Sequence, residues 1–425
     1  MNFSVLPSLI ALAILVAVFS AILREGSSER LHLWLMGWIL VLLHFVAQFL
    51  DVGQGLRDRV MSAVSLDALE LATIAFLTSV SPMATTPRRQ VLLAAVVGVP
   101  ALVYTNALVW EVTTRTFYYA VIVVALGGIS LLVWNSYRKI TAYVVGLLTG
   151  CLGLSCAIAW AVARSKFEVG LTLILCGLNL AVAVLYWRRF RRATAGVFTT
   201  VFGFVAWGAV FPTSMLLDTF ARSVHVQSEV WNIPKYFVAV GMIVTLLEDQ
   251  IQRSEYLAYH DELTGLPNLR LLLDRMQQSL AHADRTGRKV AVLLLDLDNF
   301  KEVNDTFGHL VGDLLLQQTV ARLCSRMRAS DTVSRSGGDE FTVISEVADP
   351  EGAEVLVSAL KDALIVPFKL QGQLIRASVS IGLAMYPNDG SDVDALRAAA
   401  DKAMYAAKRA SRNAANSLTV LQHPG

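Results

Sequence analysis

Along residues 1–247, apolar stretches recur with short polar breaks between them. Each is about 20 residues long, enough to cross a bilayer as a helix. Nine spans are predicted, at roughly 4–23, 31–50, 60–80, 90–110, 116–134, 140–163, 169–187, 197–217 and 231–247. An eight-span arrangement stays open, with one segment interfacial or removed. No basic residue precedes the first apolar run, which speaks against a cleaved signal peptide. The breaks carry the charges, among them Arg88 and Arg89, Arg138 and Lys139, and the run Arg188, Arg189, Arg191 and Arg192. With nine crossings and a cytoplasmic C-terminal part, 10 Lys/Arg face the cytoplasm and 7 the other side, with the N-terminus outside.

The pattern changes after the ninth stretch. Residues 246–258 contain no Pro or Gly, and Leu247, Ile251, Ser254 and Ala258 follow the 4-3-4 spacing of a narrow pairing seam. This predicts a helix leaving the membrane as a stiff rod, too short to dimerise alone. From residue 260 the period alternates: helix 267–284, strand 290–297, helix 308–328, strand 332–336, a turn at Gly337-Gly338, strand 339–346, helix 351–364, strand 373–385 and helix 392–409. That order suits a mixed sheet with helices packed against it.

Composition sharpens the division. The 425 residues are 55% hydrophobic and 16% charged, with a mean hydropathy of +0.54. The first 247 hold 17 Lys/Arg and 10 Asp/Glu, leaving 19 and 24 in the last 178. The second part therefore has the charge of an ordinary soluble domain, about a quarter of its residues. A net charge of +2 conceals +7 on one part and −5 on the other, so the total says nothing about partners. The organisation read from the chain is a polytopic all-α membrane bundle at 1–247, a signalling helix or short coiled coil at 248–259, an α/β (α+β) domain at 260–420, and a tail at 421–425.

Within the spans, Asp67 and Glu70 lie three apart on one face, and His44 and Gln48 four apart on another. Ionisable groups in hydrocarbon are costly and tend to be functional, so Asp67, Glu70 and His44 are candidates for a membrane ligand site. The plainer reading is bonding to neighbouring helices. Trp34, Trp38, Trp110, Trp187 and Trp231 read as interfacial anchors. Cys151, Cys156, Cys176 and Cys324 show no metal spacing and read as small buried side chains.

The chemistry lies in the polar part. The strand from Val290 is buried for six residues and then turns acidic at Asp296 and Asp298, where a rigid sheet can hold an ion. Asp339 and Glu340 directly follow paired glycines, whose turn allows close approach of a phosphate. Two acidic clusters joined by a hairpin are what a two-metal phosphoryl-transfer site needs.

Arg335-Ser-Gly-Gly-Asp-Glu-Phe341 resembles the signature of the GGDEF family, the diguanylate cyclases. Further motifs stand in register: Asp261-Glu-Leu-Thr-Gly-Leu-Pro-Asn268, Asp296-Leu-Asp-Asn-Phe-Lys301, Asn304-Asp-Thr-Phe-Gly-His309, Gly312-Asp313, Ser380-Ile-Gly-Leu383 and Ala400-Asp-Lys-Ala-Met-Tyr405 through Lys408 and Arg412-Asn413. The resemblance covers about residues 256–420. It implies a palm-like, nucleotidyl-cyclase-like central sheet with surrounding helices, and condensation of two GTP into cyclic di-GMP with release of two diphosphates.

By the resemblance, Asp296, the carbonyl of Leu297, Asp339 and Glu340 are metal ligands for two Mg²⁺ per GTP, with Mn²⁺ able to substitute. Glu340 assists deprotonation of the attacking 3′-hydroxyl, and Asp339 and Lys301 complete the catalytic set. Asn304 and Asp313 read guanine; Gly337, Gly338, Lys301, Lys408 and Arg412 receive the triphosphate. A carboxylate accepts from guanine N1–H and the 2-amino group, whereas adenine offers an acceptor at N1, so Asp313 favours GTP. Arg328 and Asp331 stand where the family has its inhibitory site for the product. The implied partners are GTP, cyclic di-GMP, a second copy of the chain and membrane lipids, with no nucleic acid. The implied location is a bacterial inner membrane, with the C-terminal domain cytoplasmic.

The chain departs from the family at Leu269, where an Arg usually follows the entry-motif Asn; here Arg270 comes one place later. That puts any ion pair between the entry segment and Asp261 in doubt, and touches none of the catalytic residues named above. Two other functions stay open: a non-catalytic receptor for GTP or cyclic di-GMP, and a transporter with a regulatory GGDEF domain.

Overall fold

The computed structural model describes residues 3–25, 29–51, 55–137, 141–191, 193–220, 228–347 and 349–421, with side chains through 410 except those of Glu25, Asp218, Ser228 and Glu229. It divides into two compact units, Met1–Asp249 and Gln250–Gly425. Arg138 and Lys139, Arg192, the side chain of Arg412 and residues 422–425 lie outside the described residues.

Among the described residues, nine helices are long and apolar enough to cross a membrane. They are α1 (Leu6–Glu25), α2 (Glu29–Leu50), α3 (Leu56–Val80), α4 (Pro87–Val109), α5 (Arg115–Ser136), α6 (Ala142–Ala163), α7 (Phe167–Phe190), α8 (Ala195–Phe220) and α9 (Ser228–Tyr259). In lipid the tails are as apolar as leucine, so close packing and interhelical hydrogen bonds hold such helices together. The core shows this. Trp34 stacks on Tyr186 and donates to Ser79 Oγ at 2.9 Å, while Trp38 lies between Phe19 and Phe76. Both indoles are fully buried, so Trp34 and Trp38 are core residues rather than interfacial anchors. Gly37 makes this possible, because a Cβ there would stand 2.4 Å from the Phe76 ring. Cys156 is exposed and Cys151 and Cys176 only half-buried, contrary to the expectation of buried thiols; Cys324 is exposed as well.

Helix α9 packs backbone to backbone on α8. A Cβ on Gly203 would lie 2.6 Å from the Val238 nitrogen, and one on Gly241 2.4 Å from the Thr200 nitrogen. The helix then continues unbroken to Tyr259, as the absence of Pro and Gly over 246–258 predicts.

The second unit contains α10 (Leu269–Thr286), β1 (Lys289–Leu297), α11 (Phe300–Phe307), α12 (His309–Cys324), β2 (Thr332–Gly337), β3 (Glu340–Val347), α13 (Pro350–Ile365), β4 (Phe368–Leu370), β5 (Gln373–Ile375), β6 (Val379–Tyr386) and α14 (Val393–Leu421). The sheet runs β2-β3-β1-β6, antiparallel at every step, rather than mixed. The predicted strand 373–385 is two strands: β5 pairs with β4 in a separate hairpin, and only β6 joins the sheet. Helix α11 is absent from the expectation, since eight residues with no buried side chain carry little periodic signal.

Alternation along β1 supplies two cores. Leu293, Leu295 and Leu297 point with Phe341 and Val343 to a layer containing Leu315, Leu323, Leu360 and Phe368. Val290 and Val292 point with Ile344 to Leu272 and Met276 of α10 and to Leu396 and Ala400 of α14. Each fully buried aliphatic side chain contributes about 1.5–3 kcal/mol of transfer free energy. Helix α10 starts at Asn268, whose Oδ1 accepts from Leu271 N–H and whose amide donates to the Ala258 carbonyl at 2.9 Å. Such a cap is worth about 1 kcal/mol. It ends at Gly287, in the left-handed region at φ 67°.

Candidate functional site

Strand pairing brings the acidic clusters together. Asp296, at the end of β1, is the direct partner of Glu340, the first residue of β3, with Asp339 just before it. Leu297 N–H donates to the Asp339 carbonyl at 3.3 Å, which closes this corner. Gly337 and Gly338 precede the pair at φ 149° and 54°, conformations that side chains resist. A Cβ at either glycine would meet nothing within 4 Å, so the turn opens onto free space. Asp298 serves a different purpose: its carboxylate accepts from Ser380 Oγ at 2.8 Å and Ser378 Oγ at 2.7 Å, clamping β1 to β6.

Burial pushes the Asp339 carboxyl above its ordinary value, and the neighbouring Asp296 carboxylate pushes it further. Glu340 rises for the same two reasons, with Asp339 and Asp401 adding to it. Lys408 opposes this rise, its Nζ sitting 2.7 Å from Asp296 Oδ1, and Arg335 opposes it at Asp339 as well. Among the described residues, no three His, Cys, Asp or Glu side chains converge closely enough to hold an ion by themselves. What the corner offers is crowded carboxylates whose mutual repulsion a divalent cation would relieve, beside an open turn suited to phosphate oxygens. This donor set fits hard oxygen-liganded ions.

Asn304 on α11 and Asp313 on α12 flank the bend at Gly308, φ 84°. Asn304 Oδ1 is buried and has no hydrogen-bond partner among the described residues. It lies 1.9 Å from where a Cβ on Gly312 would be, so only glycine admits it. Asp313 and Lys301 are exposed.

The Asp261 carboxylate accepts from Thr264 Oγ1 at 2.5 Å and from Arg335 Nη1 at 2.9 and 3.0 Å. Arg335 also donates from Nε and Nη2 to the Gly338 carbonyl, at 3.0 and 2.6 Å. Burial pushes the Asp261 carboxyl up, but the Thr264 and Arg335 bonds outweigh it and hold the group below its ordinary value. The partner of Asp261 thus comes from outside the entry segment: Arg335, two residues before the Gly-Gly turn, supplies the ion pair. Arg270 instead lies over the Tyr259 ring at 5.0 Å. In the sequence, Arg335 is the first residue of the signature and carries no assigned role. Its place just ahead of a turn that needs a carbonyl held was the available signal.

Asp331 accepts the Arg328 backbone N–H and Ser345 Oγ, each at 2.8 Å. Two open hollows, of about 330 and 670 Å³, share Arg275, Ala329 and Asp331, and Arg328 lines the smaller. In the first unit, Asp67 accepts from Asn106, and Glu70, fully buried, accepts from Thr105 Oγ1 at 2.5 Å. His44 Nδ1 lies 2.9 Å from both oxygens of Ser65. The three sequence candidates thus bond to three different residues, two on α4 and one on α3.

Residues 258–414 match the family described as "Diguanylate cyclase, GGDEF domain". A bifunctional diguanylate cyclase/cyclic di-GMP phosphodiesterase, MucR of Pseudomonas aeruginosa, is 40% identical over 191 residues, 41% of this chain and 28% of MucR. The diguanylate cyclase TpbB of the same organism is 37% identical over 168 residues, 39% of each chain. The chain thus spans well under half the length of these curated relatives. A sensory box/GGDEF family protein from Caulobacter crescentus, solved as a crystal structure, is 40% identical over 36% of this chain and 99% of its own, with a TM-score of 0.35. Over residues 258–414, following nine apolar helices, the chain carries a GGDEF domain homologous to diguanylate cyclases.

Proposed function

We propose that the protein is a membrane-anchored diguanylate cyclase. In this reading the 3′-hydroxyl oxygen of one GTP bonds to the α-phosphorus of the other, the bond to diphosphate breaks, and the hydroxyl proton leaves to a base. The same exchange in reverse roles closes the ring, giving cyclic di-GMP and two diphosphates. The observation that carries the reading is the register of Asp296 opposite Glu340 beside the open Gly337-Gly338 turn.

Glu340 stands at the strand end as the proton acceptor, its basicity raised by burial and by the Asp296 carboxylate. Asp296, the Leu297 carbonyl, Asp339 and Glu340 would hold divalent cations, Mg²⁺ or Mn²⁺, which when bound offset the triphosphate charge and acidify the nucleophile. Lys301 and Lys408 orient the triphosphate, with Arg412 assigned to it by the motif. The unpartnered Asn304 oxygen is suited to the guanine 2-amino group, and Asp313 to the N1–H edge. Each domain holds one GTP, so a homodimer must face two of them across a two-fold axis. Arg328, with Asp331 fixing its turn, would bind product guanine or phosphate and inhibit. On this reading the domain works in the cytoplasm beneath a bacterial inner membrane, and the boundaries 1–247, 248–259 and 260–420 separate anchor, transmitting helix and enzyme. Asp67, Glu70 and His44 remain the proposed polar site of the anchor.

Full-length protein in lipid nanodiscs, given GTP and Mg²⁺, tests this. Cyclic di-GMP should form and should disappear with Glu340→Ala. Nucleotide binding without product would favour a receptor, and solute uptake into liposomes a transporter.

A further inference from the structure

The position of Lys408 follows from the packing of α14. Gly382 of β6 lets the helix touch the sheet: a Cβ there would be 2.1 Å from the Ala400 carbonyl and 2.3 Å from the Met404 nitrogen. Gly382 pairs with Leu294 in β1, and Ser380 with Asp296 two residues on. Two strand residues advance about 6.6 Å and four helix residues about 6 Å, so Lys408 reaches the level of Asp296 as Met404 reaches Gly382. The ammonium therefore rests on the very carboxylate that the proposed function assigns to a cation, at 2.7 Å from Oδ1. Two cations cannot share that oxygen cheaply, because their repulsion is weakly screened where the Asp296 side chain is only 9% exposed. Lysine is a point charge on a four-carbon stem and can swing without rebuilding the helix.

We propose that Lys408 is an exchangeable counter-ion: it neutralises Asp296, yields that carboxylate to a divalent cation, and moves to the triphosphate of the incoming nucleotide. The exchange couples the two ligands. Metal binding alone must displace the lysine, whereas metal arriving with nucleotide gives the lysine a new partner, so each tightens the other. This rests on the GTP reading for its second half only; the competition between Lys408 and metal does not require it.

The test measures Mn²⁺ binding to the full-length chain in nanodiscs by paramagnetic resonance of the free ion. It is done without nucleotide and with a GTP analogue carrying methylene between the α and β phosphorus atoms. Lys408→Met should bind Mn²⁺ alone about tenfold tighter than the native chain, and Lys408→Arg, which keeps the charge, within about twofold. In Lys408→Met the analogue's tightening of Mn²⁺ should shrink about tenfold. Adding Asp296→Asn should remove the gain. Unchanged or weaker Mn²⁺ binding by Lys408→Met without nucleotide overturns the proposal, whatever the analogue does. Failure of the native chain to bind the analogue, with the Mn²⁺ gain intact, instead counts against the GTP reading.

Discussion

Arg335 joins Asp261 to Gly338, reaching from the entry segment of the second unit to the turn before its acidic pair with four hydrogen bonds of 2.6–3.0 Å. The guanidinium is 10% exposed, and its planar fork suits a carboxylate on one side and a carbonyl on the other. Residues 74 apart are thereby made one rigid corner.

Arg335→Ala should cost about 2–4 kcal/mol of stability, since it leaves a half-buried carboxylate unpaired. It should also lower cyclic di-GMP production more than this loss explains. Because Asp261 is held below its ordinary value of 3.8, the pair contributes fully above that pH and is lost as pH falls through the lower folded value. Acid melts should show this: Asp261→Asn ought to flatten the stability decline below about pH 4. An identical acid limb in both proteins would contradict the role given to the pair.

Glu340→Gln should reduce turnover by about 10²–10⁴-fold. Asp339 and Glu340 have raised folded values, so the folded domain binds protons more tightly than the unfolded chain. Stability without metal therefore declines as pH rises from the ordinary values of 3.8 and 4.5 through the raised ones. Removing the Glu340 charge should weaken this decline, measured by thermal melting in chelator between pH 4 and 7. Native-like turnover in the variant would exclude Glu340 as the base.

Gly312→Ala displaces Asn304, whose oxygen lies 1.9 Å from the new methyl position. The expected result is a rise of about tenfold in KM for GTP with a smaller change in kcat. Comparison with inosine triphosphate, which lacks the 2-amino group, identifies the contact: the variant should discriminate less between the two nucleotides.

Arg328→Ala and Asp331→Ala should separate. The Arg328 side chain is exposed, and its removal should relieve product inhibition with little change in melting. Asp331 bonds to the Arg328 N–H and to Ser345, so its loss should cost about 1–2 kcal/mol as well. Progress curves with added cyclic di-GMP, beside melting curves, check both.

Gly382→Ala drives a methyl into backbone atoms of α14, which cannot turn away as a side chain could. A cost of about 1–3 kcal/mol or more is expected. Hydrogen exchange should show it as opening of β6 and α14 before the other strands.

The site was readable where local chemistry dictates it. Paired glycines need positive φ, and a buried apolar run ending in acid places those acids at a strand end; Asp296 stands opposite Glu340, with Asp339 just before it. Trp34 and Trp38 show the opposite case. Their positions near span ends read as interfacial, yet Gly37 opens a gap that a neighbouring helix fills with Phe76, a fact of packing invisible along one helix.

By itself the sequence determined the division into an apolar and a polar part, the long apolar helices, most of the alternating elements and the family motifs, because these depend on periodicities and turn preferences within a few residues. Tertiary structure decided the antiparallel order of the sheet, the separate β4-β5 hairpin, the partner of Asp261 and the resting place of Lys408. Each of those joins residues far apart in the chain. Their pairing depends on strand register and helix approach, which a local pattern does not contain.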